Sequence, residues 1–161
     1  MVLNKIANIL IKNNLTISTT ESCTGGLLSS ALTDISGSSA FIHLNFVTYS
    51  NEAKNKILNV KNETLKQYGA VSEQTAYEMA LGLYQATQSD ICISTTGIAG
   101  PTGGSEEKPV GLMYSTILWG KTKDFKTYKI LFQSDIPRIE MKQKFVEKVL
   151  DNLYQNLCEK Y

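Results

Sequence analysis

Apolar residues at Val2, Leu3, Ile6, Ile9 and Leu10 alternate with Asn4, Lys5, Asn8, Lys12, Asn13 and Asn14, the three- and four-residue spacing of an amphipathic helix within Met1–Leu15. At Leu15–Thr20 the pattern becomes short, β-branched and alternating, which predicts a strand leading directly into the turn Thr20-Glu21-Ser22-Cys23-Thr24-Gly25-Gly26. Helical spacing returns over Gly25–Asp34, with Leu27, Leu28, Ala31 and Leu32 on the side to be buried. The turn residues Ile35–Ser39 follow, and Gly37 suits a helix-terminating position. Phe41–Tyr49 is aromatic and branched and reads as a strand, and Asn51–Leu58 reads as a short helix capped by Ser50 or Asn51. A further helix starts at Ser72 within Val71–Ala76 and runs to about Gln88, although Thr75 stands where a full capping box has Glu or Gln.

Asp90–Thr96 is again strand-like, and Thr96–Gly104 is so dense in glycine that it must be a loop. Val110–Trp119 and Phe125–Phe132 form a predicted hairpin around Gly120–Asp124, and Pro137–Leu157 a closing amphipathic helix. Strands alternating with helices, followed by a hairpin and a last helix, predict an α/β fold: a three-layer α/β/α domain with a mixed sheet, taken as one domain over residues 1–161. The segments around Ser22, Tyr49–Lys54 and Gly97–Gly104 each follow a predicted strand. Ligand sites in such sheets collect at the carboxyl ends of strands, so the three are expected to meet at one edge.

Composition narrows the function classes. With 42% hydrophobic and 19% charged residues the chain is of ordinary globular type, long enough to bury a core without disulfides or a structural metal. Lys and Arg total 16 against 15 acidic residues, a net charge of +1. No broad field favours nucleic acid or an anionic membrane, so neither is expected as a partner, and any bound anion must be held locally. Cys23, Cys92 and Cys158 are odd in number and lack a C-x-x-C pair, which predicts reduced thiols in a cytoplasmic protein and no zinc site. No stretch reaches the roughly 20 apolar residues of a membrane span, and the broken pattern of the first helix is not a signal-peptide core.

Ser22 lies on a turn before a helix whose first residues, Cys23 to Gly26, offer backbone N–H groups to an oxyanion or phosphate. Ser22 therefore reads as a nucleophile, or equally as a helix cap. Cys23 competes as a nucleophile or serves as a packing residue. His43 is the one histidine and sits inside a predicted strand, so a Ser-His-Asp triad has little support. A lysine replaces histidine as base when burial lowers its pKa towards neutrality. Lys54 follows a strand at a helix start, where the dipole acts in the same direction, and Tyr49 is placed to assist proton transfer. By spacing alone Lys54 also reads as a solvated surface charge. The glycine loop suits an anion nest, but neither G-x-x-x-x-G-K-[ST] nor a G-x-G-x-x-G before a helix is present.

Taken together, E-S-C-T-G-G (Glu21–Gly26), D-I-S-G-S-S (Asp34–Ser39), Y-S-N-E-A-K (Tyr49–Lys54), Y-G-A-V-S (Tyr68–Ser72), T-G-I-A-G-P-T-G-G (Thr96–Gly104) and E-K-P-V-G (Glu107–Gly111) resemble the CinA C-terminal domain family. Its enzymatically characterised members are nicotinamide-nucleotide amidohydrolases. The resemblance implies hydrolysis of nicotinamide mononucleotide to nicotinate mononucleotide and ammonia, with no metal or organic cofactor. It places the serine nucleophile on Ser22, the lysine base on Lys54 and the assisting tyrosine on Tyr49. Substrate contacts are expected from Cys23, Thr24, Gly25 and Gly26 at the turn and from Thr96, Gly97, Gly100, Gly103 and Gly104 in the loop. Arg138, the one arginine, is the candidate for the substrate phosphate, with a salt bridge to Asp135 as its structural alternative; Ile136 and Pro137 stand where the family pattern has glycine and aspartate. The family's additional N-terminal domain has no counterpart here, so the chain resembles the free-standing amidohydrolases, and a homo-oligomer, a dimer or higher, is implied. The alternatives are a catalytically silent nucleotide-binding paralogue and an amidase for another small amide.

Overall fold

The computed structural model describes residues 1–161. A five-stranded sheet has the order β2-β1-β3-β4-β5, built from β1 (Ile17–Glu21), β2 (Phe46–Val47), β3 (Ile91–Gly97), β4 (Leu112–Trp119) and β5 (Phe125–Leu131). The first three strands are parallel, and β4 and β5 join antiparallel. The helices are α1 (Val2–Lys12), α2 (Leu27–Thr33), α3 (Asn51–Leu58), α4 (Asn62–Tyr68), α5 (Glu73–Thr87) and α6 (Arg138–Lys160). The larger core joins α1, α2 and α6 to one sheet face through residues such as Ile6, Leu10, Leu28, Phe145 and Leu153. A smaller one, around Leu58, Met79, Leu83 and Leu118, joins α3 and α5 to the other. This is the expected three-layer α/β/α architecture with a mixed sheet.

β1, an interior strand between β2 and β3, positions the site, and all five of its residues are buried. Its alternation therefore does not separate a wet face from a dry one. The Ser18 and Thr20 hydroxyls of β1 are paired instead, Ser18 with Ser89 at 2.7 Å and Thr20 with Thr48 at 3.0 Å, while Ser94 on β3 donates to the Ala76 carbonyl at 2.6 Å. Paired hydroxyls avoid the penalty of orphaned polar atoms in the core.

The predicted strand Phe41–Tyr49 contracts to Phe46–Val47 plus one bridge between Ile17 and Ile42. Asn45 is the reason, because its side-chain oxygen accepts from the Thr19 N–H at 2.9 Å and its amide donates to Ser29 Oγ at 2.6 Å. A side chain thus takes a ladder position. Helix α2 starts at Leu27 rather than Gly25, since Gly25 and Gly26 have φ of +62° and +98°, the left-handed region that glycine alone enters without strain. Gly37 is not the end of that helix, which stops at Thr33; it leads into a short 3₁₀ turn at Ser38–Ala40.

Helix α4 lies in a stretch with almost no apolar signal, and a distant residue holds its start. The Glu78 carboxylate accepts from the Lys61 N–H at 2.8 Å and from Thr64 Oγ1 at 2.6 Å. Ser50 and Ser72 cap α3 and α5, accepting from the N–H groups of Ala53 and Thr75, as their sequence positions suggest. Where α5 crosses α3, a Cβ on Gly82 would sit on the Leu58 carbonyl. That close approach sets the position of α3, and with it Lys54.

Candidate active site

The three parallel strands point their carboxyl ends the same way, and the chain leaves β1 and β2 towards opposite sheet faces. This is the crevice in which open α/β sheets bind ligands. Ser22 is the first residue after β1, its N–H held by the Thr95 carbonyl at 3.0 Å. Lys54 enters from the first turn of α3 and is 1% exposed. Its Nζ lies 3.0 Å from Ser22 Oγ, 2.9 Å from the Thr48 carbonyl oxygen and 3.0 Å from that of Tyr49. No carboxylate forms an ion pair with it. Burial lowers its pKa from 10.5 to about 8, only partly opposed by the neighbouring Cys23 thiol, and the positive end of α3 acts in the same direction as burial.

The three acceptors match the three N–H donors of the protonated amine, and the Ser22 hydroxyl donates to the Tyr49 carbonyl at 3.4 Å. Deprotonated, the amine keeps two N–H donors for the two carbonyls and turns a lone pair towards Ser22 Oγ. The 3.0 Å separation of Nζ and Ser22 Oγ is within reach of direct proton transfer in either direction. Cys23 is also buried, and burial pushes its thiol up to about 12, so it stays protonated and poorly nucleophilic near neutral pH.

Glu21 organises the turn, a role that sequence reasoning missed. Its buried carboxylate accepts from Thr24 Oγ1 at 2.6 Å and from the N–H groups of Gly26, Leu28 and Ser29 at 3.0, 3.1 and 2.7 Å. It thus occupies the N-terminus of α2, the place where the sequence suggested an incoming anion. The Gly25 N–H is taken by the Ser22 carbonyl. Of the turn's N–H groups, those of Cys23 and Thr24 have no protein acceptor.

A cleft of about 250 Å³ opens over Ser22 and Lys54. Cys23, Thr96, Gly97, Gly100 and Gly103 line it, as do Tyr49 and Arg138. Ala70 and Val71 from the Tyr68–Ser72 motif, together with Thr102, complete wall positions that the sequence did not single out. Thr24, Gly25, Gly26 and Gly104 are not part of the wall. Thr24 faces Glu21 and Thr95, Gly25 and Gly26 lie on the outer side of the turn, and a Cβ on Gly104 would approach the Val110 N–H at 2.7 Å. Gly100 likewise packs on Val110, so part of the loop's glycine density serves packing.

Tyr49 presents its main-chain carbonyl, not its phenol, to Lys54. The side chain is 60% exposed, and its hydroxyl accepts from the Arg138 guanidinium at 3.1 Å. Arg138 also donates to the Gly100 carbonyl at 2.6 Å, joining the two cleft walls rather than pairing with Asp135. Lys54 and Arg138 are the only charged residues lining the cleft, which suits an anionic ligand. His43 is exposed and outside it. No cluster of three or more His, Cys, Asp or Glu side chains is arranged to hold a metal ion, and no helix is long and apolar enough to cross a membrane.

The family model of the CinA C-terminal domain matches residues 1–157. The chain belongs to this family. A CinA-like protein of Chloroherpeton thalassium is 49% identical over 154 residues, covering 94% of this chain and 36% of that protein. This CinA domain thus spans about a third of the length of the curated relatives it matches. Among solved structures, the competence/damage inducible protein CihA of Agrobacterium tumefaciens superimposes with a TM-score of 0.87 at 41% identity, covering 95% of this chain and 94% of that one. A CinA superfamily protein of Klebsiella pneumoniae gives a TM-score of 0.92 at 31% identity, over 98% and 96% of the two chains.

Proposed function

We propose that this CinA domain is an amidohydrolase that converts nicotinamide mononucleotide and water to nicotinate mononucleotide and ammonia. The observation that carries the reading is the 3.0 Å contact between Ser22 Oγ and a buried Lys54 amine that has no acidic partner. A lysine base with a pKa near 8 is neutral in a useful fraction of molecules at neutral pH, as general-base catalysis requires.

In the proposed reaction, neutral Lys54 takes the Ser22 proton as Oγ attacks the carboxamide carbon. The oxyanion is held by N–H groups at the cleft, of which Cys23's is adjacent to the nucleophile and without a protein acceptor. Lys54 returns the proton to the leaving nitrogen, the C–N bond breaks, and ammonia departs from an acyl-Ser22 ester. Water, deprotonated by the same amine, then cleaves the ester to the carboxylate and restores Ser22. The Tyr49 carbonyl orients the amine throughout, while the Tyr49 phenol steadies Arg138 for the substrate phosphate.

The test is ammonia release from nicotinamide mononucleotide by the purified chain and its Ser22→Ala and Cys23→Ala variants. Turnover that is lost in the first and largely retained in the second supports the reading. Binding without ammonia release refutes it in favour of a silent nucleotide-binding domain, and the reverse order of the variants makes Cys23 the nucleophile.

A further inference from the structure

Arg138 lines the cleft and Lys142 stands over the adjoining Gly25 turn, and both come from one helix. Arg138 and Lys142 stand one turn apart on α6, the spacing that places side chains on one helix face. Arg138 uses two of its N–H donors on Gly100 and Tyr49; a guanidinium has five. Lys142 reaches over the nucleophile turn: its Nζ lies 3.4 Å from the point where a side chain on Gly25 would begin. The half-buried Lys142 has neither an ion pair nor a hydrogen-bond acceptor in the protein. Its charge also acts on Cys23, which lines the cleft. Because the Glu21 carboxylate fills the α2 N-terminus, backbone dipoles there are not free to hold a second anion.

We propose that Lys142 is a substrate-binding and specificity-determining residue that, with Arg138, holds the terminal phosphomonoester of the substrate across the Gly25 turn. The proposal rests on the mononucleotide reading above. A phosphomonoester carries close to two negative charges at neutral pH, and two separate cations match that dianion better than the single charge of a phosphodiester or the neutral end of a nucleoside. Gly25 leaves the space above the turn open, since any side chain there would meet the ammonium. Arg138 supplies directional donors and Lys142 a compact, mobile charge.

Steady-state kinetics of Lys142→Gln with nicotinamide mononucleotide and with its phosphate-free nucleoside tests the assignment, alongside calorimetric binding of ribose 5-phosphate. The expected result is a KM for the mononucleotide raised about tenfold with kcat within about twofold, the size of one lost charge-assisted hydrogen bond. Nucleoside kinetics should be unchanged and ribose 5-phosphate bound about tenfold more weakly, with Lys142→Arg restoring most of both losses. Equal effects on mononucleotide and nucleoside, or ribose 5-phosphate binding that is absent or indifferent to the substitution, overturn the assignment. If the wild-type chain releases no ammonia, the amidase reading fails, and the ribose 5-phosphate measurement alone still decides the role of Lys142.

Discussion

Removing the charge of Lys54 separates its cost to the fold from its use in chemistry. Its pKa is lowered from 10.5 to about 8, and at about 1.36 kcal/mol per unit the native fold bears a penalty of about 3 kcal/mol for holding the ammonium. The unfolded chain binds that proton more tightly. The penalty is therefore full below pH 8 and fades to nothing as the pH rises towards 10.5, so wild-type stability from this group increases across that window. Lys54→Met keeps the volume of the side chain but leaves the Thr48 and Tyr49 carbonyls without their donor, offsetting about 1–2 kcal/mol of the relief. Denaturant unfolding at pH 7 should find the variant as stable as wild type or up to about 2 kcal/mol more so, with its advantage shrinking above pH 8. Ammonia release by wild type should depend on the neutral fraction, about 1% at pH 6, 10% at pH 7 and 50% at pH 8. Thus kcat/KM should rise about tenfold from pH 6 to 7 and about fivefold from pH 7 to 8, levelling above an apparent pKa near 8, and the variant should show no such limb and little turnover. A flat wild-type profile between pH 6 and 8, or a variant that keeps its turnover, would refute Lys54 as the base.

Ser22→Ala should reduce kcat by at least about 10³-fold in an ammonia assay, whereas Cys23→Ala should keep most of it because the Cys23 thiol remains protonated. Tyr49→Phe retains the carbonyl that orients Lys54 and loses only the hydroxyl that accepts from Arg138, so KM should rise while kcat changes by less than about fivefold; a collapse of kcat would put the phenol in the chemistry. Glu21→Gln should cost about 2–4 kcal/mol in chemical denaturation, because one buried carboxylate serves three N–H groups and the hydroxyls of Thr24 and Thr19, and an amide serves fewer. Gly82→Ala should lower the unfolding midpoint and kcat together, since the added methyl pushes α3 from α5 and moves Lys54 with it.

The layers of the fold were legible because they rest on local periodicity. The spacing of Ile6 and Leu10 and the caps at Ser50 and Ser72 are signals within a few residues of the features they announce. Less legible features depend on partners far away in the chain. Helix α4 has its start held by Glu78, which belongs to another helix. The strand at Phe41–Tyr49 is interrupted by Asn45 bonding to Thr19 and Ser29, where no local pattern distinguishes a ladder residue from a side chain that takes its place. At the site, the family resemblance points to Ser22, Lys54 and Tyr49, but a residue type does not say which of its atoms faces the cleft. Tyr49 shows this most clearly, with its carbonyl at the amine and its phenol at Arg138. Lys142 lacks any motif, and its place emerges only when α6 is laid beside the Gly25 turn.

The turn that carries Ser22 must solve two electrostatic problems at once. A helix N-terminus close to a serine attracts anions, and an anion bound directly there would compete with the oxyanion for the same donors. In the proposed mechanism Glu21 removes the conflict by filling the α2 terminus from inside the protein with its own side chain, which leaves the Cys23 N–H free beside Ser22. Burial above all, and the neighbouring Glu21 carboxylate with it, disfavours ionisation of the Cys23 thiol, which favours Ser22 over Cys23 in the proposed mechanism. On the proposed reading, attraction for the substrate's charged end comes from another element, α6, whose Arg138 reaches Gly100 and Tyr49 and whose Lys142 stands over the Gly25 turn. Binding charge and reacting charge are thereby held on different elements. A substitution on α6 should accordingly change KM without shifting the pH limb set by Lys54, whereas a substitution that displaces Glu21 should disturb both.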